Sequence, residues 1–222
     1  MAELVPGALG LVSGKVGTVI ASKWRDIHYL KGILKANKKK KGDQDSINCI
    51  RFTKIYDFLS FIPDLVEDGF KHQNTGRASA FNLALSANMG AFLGDSADLD
   101  YASIRISTGS LIGAIAPEVT FEVPDCITVR WADLGDTYNQ APSDRAMILF
   151  YNSDGGGAAI SEGVVRRGEL QAEIPFPPAF HGKHVQGYIY FTNAAGTKNS
   201  QSTYLGCFIV PESDTDEPNP DK

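Results

Sequence analysis

The sequence predicts an α+β fold in which an N-terminal β-hairpin and helices precede an all-β sandwich. Three observations predict it. Glycines and β-branched residues punctuate the first 32 residues, the apolar period is helical over 45–93, and seven short strand-like runs follow from residue 119. Of the 222 residues, 43% are apolar and 21% are charged, which is an ordinary composition for a globular protein.

The N-terminal segment predicts a β-hairpin. Two strands, over about 16–24 and 27–32, are joined by a tight turn at Arg25-Asp26. Valine and isoleucine occur in the first part of this segment, and tryptophan and tyrosine occur in its later part. Because an isolated hairpin is only marginally stable in water, this one has to pair with another sheet or another chain. We therefore interpret it as an interaction element.

The middle of the chain predicts three helices. Apolar residues recur at helical spacing over 45–62, and Pro63 ends this first helix. A short second helix covers about 64–71 and a third about 78–93. We assign the aromatic side chains at helical spacing to the core. Alternation of apolar and polar residues around Ile104 and Ile106 then predicts a strand.

The C-terminal part predicts a β-sandwich of seven strands. Turn residues separate apolar runs at 119–123, 127–131, 146–151, 158–164, 170–174, 185–192 and 202–210. Thr128-Val129-Arg130-Trp131 and the later Tyr188…Asn193…Gly196 pattern resemble fibronectin type III modules over residues 117–210. The resemblance implies a core position for Trp131. By alternation, we expect Ile189 and Phe191 to face the core and the neighbouring tyrosines to face the other way.

Motifs spread along the chain resemble an uncharacterised family of Bacteroidota, a domain of unknown function. They are Gly14-Lys15-Val16-Gly17, Phe58-Leu59-Ser60, Ala80-Phe81-Asn82 and Tyr204-Leu205-Gly206. The resemblance covers nearly the full length and implies a single gene product without an assigned activity. The sequence departs from the family pattern mainly in a run of four lysines and in an acidic tail.

Charge is distributed unevenly within the net −5. Residues 1–54 carry eleven Lys/Arg against four Asp/Glu, a balance of +7, and the remainder has a balance of −12. We predict an N-terminal α+β region at 1–110, the sandwich at 117–210 and a disordered acidic tail at 211–222. The tail holds five acidic residues and three prolines in twelve residues, so almost nothing in it can be buried.

No motif of the sequence carries catalysis. There is no G-x-S-x-G nucleophile turn, and His181 and His184 have no further ligand pair at zinc spacing. An acidic cluster at 95–100 lacks the glycine and closing glutamate of a calcium loop, so we interpret it as a capping and turn segment. We therefore expect a protein that is not an enzyme and uses no cofactor and no metal.

The three cysteines do not form a disulfide framework, because they are few, widely spaced and odd in number. We interpret them as buried, reduced thiols. They are Cys49, Cys126 and Cys207.

The leading functional hypothesis is a non-catalytic structural or protein-interaction protein, as a subunit of a phage-like or surface assembly. Opposite charge at the two ends of the chain favours head-to-tail contact between copies. We expect protein partners or self-assembly without membrane insertion. No membrane-spanning run and no secretory signal are visible in the sequence, so we expect a location in the cytoplasm or in an assembled particle.

The alternative is a nucleic-acid-binding protein that uses the basic hairpin and the lysine loop, with Trp24 and Tyr29 available for stacking, although the sequence pI of about 5.4 argues against it. The cations of this hypothesis are Lys15, Lys23, Arg25, Lys31, Lys35 and Lys38 to Lys41. A third hypothesis is carbohydrate recognition through Trp131, Tyr138 or Tyr151. The candidate binding residues of the hairpin and lysine loop are Lys15, Lys23, Trp24, Arg25, Tyr29, Lys38, Lys39, Lys40 and Lys41.

Overall fold

The structure is a computed structural model of the chain. It describes residues 2–3, 12–24, 27–33, 43–73, 78–123, 125–132, 135, 139–161 and 164–212, so positions 213–222 of the predicted tail lie outside the described residues. The chain divides into two compact units, Met1–Gly42 and Asp43–Lys222. The expected boundary lay after residue 110. The division instead falls before the helices, because the helices share a core with the sandwich.

The first unit is an antiparallel sheet. Its strands are β1 (Ala2–Glu3), β2 (Gly14–Val16), β3 (Val19–Trp24) and β4 (Ile27–Gly32), in the order β1-β4-β3-β2. The pairing of β3 with β4 confirms the predicted hairpin. A tighter hairpin joins β2 and β3 and was not predicted from the sequence. There Gly17 adopts a φ of 58°, which glycine reaches without steric cost.

Three helices open the second unit: α1 (Asp43–Ser60), α2 (Pro63–Phe70) and α3 (Ala80–Asn88). Proline stands in the first turn of α2, where its missing N–H costs nothing, and α1 ends before it as predicted. The Ser79 hydroxyl caps α3 by accepting a hydrogen bond from the Asn82 amide at 3.2 Å. Among the described helices, none is long and apolar enough to cross a membrane.

The strand predicted around Ile104 and Ile106 is wrong, because this described segment is extended without a partner strand. The side-chain amide of Asn88 makes the hydrogen bonds that a partner strand would make. Its Nδ2 donates to the Arg105 carbonyl at 2.8 Å, and its Oδ1 accepts from the Arg105 amide at 2.7 Å. Both isoleucines are buried. Arg105 between them is exposed, but Ser107 is buried as well, so burial alternates over 104–106 and not beyond. The hydrogen-bonding partner of this segment is a side chain.

The sandwich completes the second unit. Its strands are β5 (Ile115–Thr120), β6 (Cys126–Ala132), β7 (Arg145–Asn152), β8 (Ala158–Ile160), β9 (Gln171–Pro175), β10 (His184–Thr192) and β11 (Thr203–Ile209). They form two antiparallel sheets with the orders β5-β6-β9 and β11-β10-β7-β8. This arrangement confirms the predicted α+β fold with an immunoglobulin or fibronectin III-like sandwich.

The larger sheet is buried on both faces. Ile189 and Phe191 face the sandwich core, as predicted, and the Phe191 ring lies 5.7 Å from the Trp131 ring between centroids. Tyr188 and Tyr190 face the opposite way and belong to a second core made with the helices. All four of these β10 side chains have an exposed fraction of 0%.

The buried tyrosines bind the helical layer to the sheet by hydrogen bonds as well as by packing. The Tyr188 hydroxyl donates to the Tyr101 carbonyl at 2.7 Å. The Tyr190 hydroxyl lies 3.3 Å from the Leu65 carbonyl oxygen and 3.2 Å from Oδ2 of Asp68. Because a buried phenol without a partner is costly, these contacts select one position of the helices on the sheet.

The interpretation of the cysteines as buried thiols is wrong. Cys49 and Cys207 are exposed, and Cys126 is half-buried. All three are free of disulfides. Since β6 buries Ile127 and Val129 inward, Cys126 takes the outward position before them.

We expect Leu149→Ala to destabilise the helices and the sandwich together. Leu149 is fully buried in the helix-facing core, although it lies on a sandwich strand. Its truncation should cost about 2–5 kcal/mol of unfolding free energy. In a Trp24→Phe background, denaturation followed by helical circular dichroism and by Trp131 fluorescence should give one coincident transition. Loss of the helical signal ahead of the Trp131 signal would contradict this.

We also expect stability to fall as the pH rises above about 10. Burial raises the pKa of Tyr101 from its usual 10.0 to about 12 and raises the pKa values of Tyr188 and Tyr190 as well. A phenol with a higher pKa in the folded state stabilises the fold fully below about pH 10, and this contribution is lost as the pH rises through the folded value. Urea denaturation between about pH 8 and pH 12 measures it. Tyr188→Phe should show a weaker dependence, and constant stability over this range would refute the expectation.

Candidate interaction surfaces

Strand register places most of the described candidate residues on one face of the hairpin sheet. Lys15 on β2 and Lys31 on β4 both pair with Ile20 on β3, so the two lysines lie in one row. Trp24 is four residues after Ile20, and Tyr29 is two residues before Lys31, so both rings lie on the same face as the lysines. We call this surface, made by Lys15, Trp24, Tyr29 and Lys31, the basic-aromatic face.

The other candidate residues do not join this face in the described structure. Lys23 pairs with His28 and lies on the opposite face of the same sheet. Arg25 and Lys38–Lys41 lie outside the described residues. The structure thus brings Lys15, Trp24 and Tyr29 together with Lys31, a cation of the nucleic-acid hypothesis.

The basic-aromatic face is accessible to a partner. Lys15 and Lys31 are exposed, Trp24 is 39% exposed, and Tyr29 is half-buried. The ion pairs found among the described residues do not involve either lysine. Two cations therefore stand beside an aromatic surface, a combination that suits an acidic protein surface or a nucleic acid.

The smaller sandwich sheet, β5-β6-β9, carries an acidic outer face that the sequence analysis missed. Glu118 on β5 pairs with Arg130, and Glu173 on β9 pairs with Thr128. These residues point away from the core, because the alternate residues Ile127, Val129 and Trp131 are buried within it. The period-two spacing of Glu118 and Glu122 was the available signal.

Arg130 neutralises one carboxylate of this acidic outer face. Its two terminal nitrogens donate to the two Glu122 oxygens at 3.0 and 2.9 Å. These hydrogen bonds lower the pKa of Glu122 and raise the pKa of Arg130. Glu118 and Glu173 are exposed, and they are absent from the ion pairs of the described chain. The face therefore presents two carboxylates to a partner.

A buried ion pair lies inside the sandwich. The Arg167 Nε atom is 3.3 Å from Oδ2 of Asp144, and the two side chains are 1% and 3% exposed. The guanidinium stacks 3.6 Å from the Phe191 ring centroid and donates to the Ile112 carbonyl at 2.6 Å. Because solvent does not reach this pair, its contacts serve the fold by holding the segment around Ile112 against the sandwich.

The rings named in the carbohydrate hypothesis are engaged in packing. Trp131 is 4% exposed, and its indole N–H donates to the Arg167 carbonyl at 2.8 Å. Tyr151 is 9% exposed and lies 4.8 Å from Phe58 between ring centroids. Neither ring forms an exposed platform for a sugar. Tyr138 lies outside the described residues.

His181 and His184, the first residue of β10, each contact one carboxylate. His181 Nε2 lies 3.0 Å from Asp125 Oδ1, and His184 Nδ1 lies 2.9 Å from Asp154 Oδ2. The predicted capping role of the acidic segment is confirmed at Asp100, whose carboxylate accepts a hydrogen bond from the Ala102 amide, in the 3-10 turn Tyr101–Ser103, at 3.2 Å. Over the described part of the chain, no three His, Cys, Asp or Glu side chains are grouped as a metal site requires.

Comparison with known proteins gives a family and a fold likeness. Residues 11–206 match the model of a family of unknown function, DUF6266. No curated protein matches the sequence. Among solved structures, the fn3 domain of the human collagen alpha-1(XX) chain is similar, with 14% identity over 48% of this chain and 93% of that chain and a TM-score of 0.33.

Proposed function

The chain belongs to the DUF6266 family, and we propose that it is a non-catalytic structural or protein-interaction protein, a subunit of a phage-like or surface assembly. Segregation of charge between its two units supports the proposal. Met1–Gly42 holds nine Lys/Arg against two Asp/Glu, a net charge of +7, and Asp43–Lys222 has a net charge of −12. Opposite charges on separate units attract copies of the chain to one another.

The described surfaces support contact between unlike surfaces of two copies. The basic-aromatic face exposes Lys15 and Lys31, whereas the acidic outer face exposes Glu118 and Glu173. A contact between two different surfaces is heterologous, so each copy can bind one neighbour through its basic-aromatic face and another through its acidic outer face. Repetition of such a contact builds a ring or a filament, which is the architecture of an assembly subunit.

The burial pattern supports a non-catalytic role for the second unit. Its helices cover one face of the larger sheet, and the buried charged pair Arg167–Asp144 is used in packing. The three-stranded sheet keeps an exposed outer face, which is available for a protein contact. The buried charged pair of this sandwich is engaged in internal contacts, and its exposed sheet face is left for a partner.

We expect the protein to form larger species at low salt than at high salt. The Debye length is about 30 Å at 0.01 M salt and about 3 Å at 1 M, so exposed charges on two copies attract one another only under the first condition. Light scattering coupled to gel filtration should give a mass above 24.0 kDa at low salt that decreases towards this value as salt is added. A monodisperse monomer under both conditions would refute the assembly proposal.

Nucleic-acid binding is a second candidate function, and one observation favours it. Trp24 and Tyr29 share a face with Lys15 and Lys31, so bases can stack on the rings while the cations meet the phosphates. The net charge of −5 for the whole chain opposes this function, so binding would depend on the local field of the hairpin unit.

Under this second hypothesis, the protein should retard a single-stranded oligonucleotide on a native gel. Lys15→Ala/Lys31→Ala should weaken the shift at least tenfold, because both phosphate contacts are lost. Lys23→Ala is the matched control, because it removes one cation from the opposite face of the sheet. If no shift appears at low salt, or if all these variants behave alike, the basic-aromatic face does not bind nucleic acid.

A further inference from the structure

We infer that the basic-aromatic face of one copy binds the acidic outer face of β5-β6-β9 in a second copy of the chain. This inference rests on the proposed function, since it names the two surfaces through which an assembly would grow. Its partner is identified by charge complementarity between surfaces described in this structure.

The two surfaces carry their charges at similar spacing. Lys15 and Lys31 occupy the two outer strands of a three-strand row, so their Cα atoms lie about 10 Å apart at the usual strand separation. Glu118 and Glu173 occupy the two outer strands of the other sheet and are displaced by two residues along it. That separation is about 12 Å, which flexible lysine side chains can span.

The charges that remain after internal pairing are also matched. Arg130 would repel the lysines, but its bidentate contact with Glu122 compensates its charge within the sheet. Glu118 and Glu173 then remain as two exposed carboxylates opposite two exposed ammonium groups. Opposite charges therefore meet at these four positions, which favours this docking over orientations that bring the lysines against cations.

The shape of the surfaces favours the same pairing. Both are faces of antiparallel sheets, and such faces pack at about 10 Å from each other. At the centre of the acidic outer face lie Thr120, which is half-buried, and Thr128, which is 2% exposed, so a partner would contact the charged side chains around them. The exposed acidic residues Asp64 and Glu67 of α2 are three residues apart on a helix, where such side chains lie about 5–6 Å from each other. The separation of about 12 Å between Glu118 and Glu173 is closer to that of the two lysines, so we place the contact on the sheet.

Reciprocal charge reversal tests this inference. Lys15→Glu/Lys31→Glu should reduce the low-salt mass to that of the monomer, and Glu118→Lys/Glu173→Lys should do the same. Each variant then has two surfaces of like charge. In an equimolar mixture, the reversed hairpin of the first variant can bind the reversed sheet of the second, and the two unreversed surfaces can also bind. The mixture should therefore regain the mass of the wild-type assembly, and so should a single chain carrying all four substitutions.

Matched controls separate local pairing from overall charge. Lys23→Glu reverses one lysine on the opposite face of the hairpin sheet. Asp64→Lys/Glu67→Lys makes on α2 the charge change that Glu118→Lys/Glu173→Lys makes on the sheet. Both controls should keep at least half of the low-salt association. Circular dichroism and thermal melting of every variant establish that the fold is intact.

The outcomes distinguish this inference from the proposed function. If wild type is monomeric at low salt, the proposed function fails. If the hairpin variant dissociates while Glu118→Lys/Glu173→Lys still assembles, the proposed function stands and the inference fails, because the hairpin then binds another acidic surface. Failure of the mixture to reassociate, or dissociation of the Lys23→Glu control, would also overturn the inference.

Discussion

The structure depends on two central strands, β7 and β10, which bury side chains on both of their faces. In β10, Ile189 and Phe191 fill the space between the two sheets, while Tyr188 and Tyr190 fill the space beneath the helices. A strand that serves two cores joins them mechanically, since a shift in its register moves every side chain to the wrong layer. The helices and the sandwich are therefore one unit, and the surfaces left for partners are restricted accordingly.

Charged groups inside the second unit and charged groups at the surface have different roles. Inside the second unit, Arg167 is paired with Asp144, and the buried phenols have hydrogen-bond acceptors, as expected where unpaired polar groups are costly. At the surface, Lys15 and Lys31 on one sheet and Glu118 and Glu173 on another are exposed to solvent. We therefore assign the buried groups to the stability of the fold and the exposed sheet faces to the proposed contacts.

Local patterns predicted the elements well and their partners less well. The helical period, Pro63 and the alternation of the β-strands depend on neighbours in sequence, and they gave the correct element types. Around Ile104 the same alternation gave an incorrect strand, because Asn88 rather than a strand supplies the hydrogen bonds. The compact units divide at Gly42 rather than after residue 110, since apolar periodicity shows that a helix has a buried face and does not show what covers it.

By itself, the sequence determined the fold class, the inward direction of Ile189 and Phe191, and the opposite charges of the two parts of the chain, because these follow from composition and period. The core position of Trp131 was implied by the resemblance to fibronectin type III modules. Only the tertiary structure decided which charges share a surface. Strand register puts Lys15, Trp24 and Tyr29 on one face of the hairpin sheet and Lys23 on the other face. It also puts Glu118 and Glu173 on the outer face of one sandwich sheet. Register is a relation between strands, so it depends on pairings that no single stretch of sequence contains.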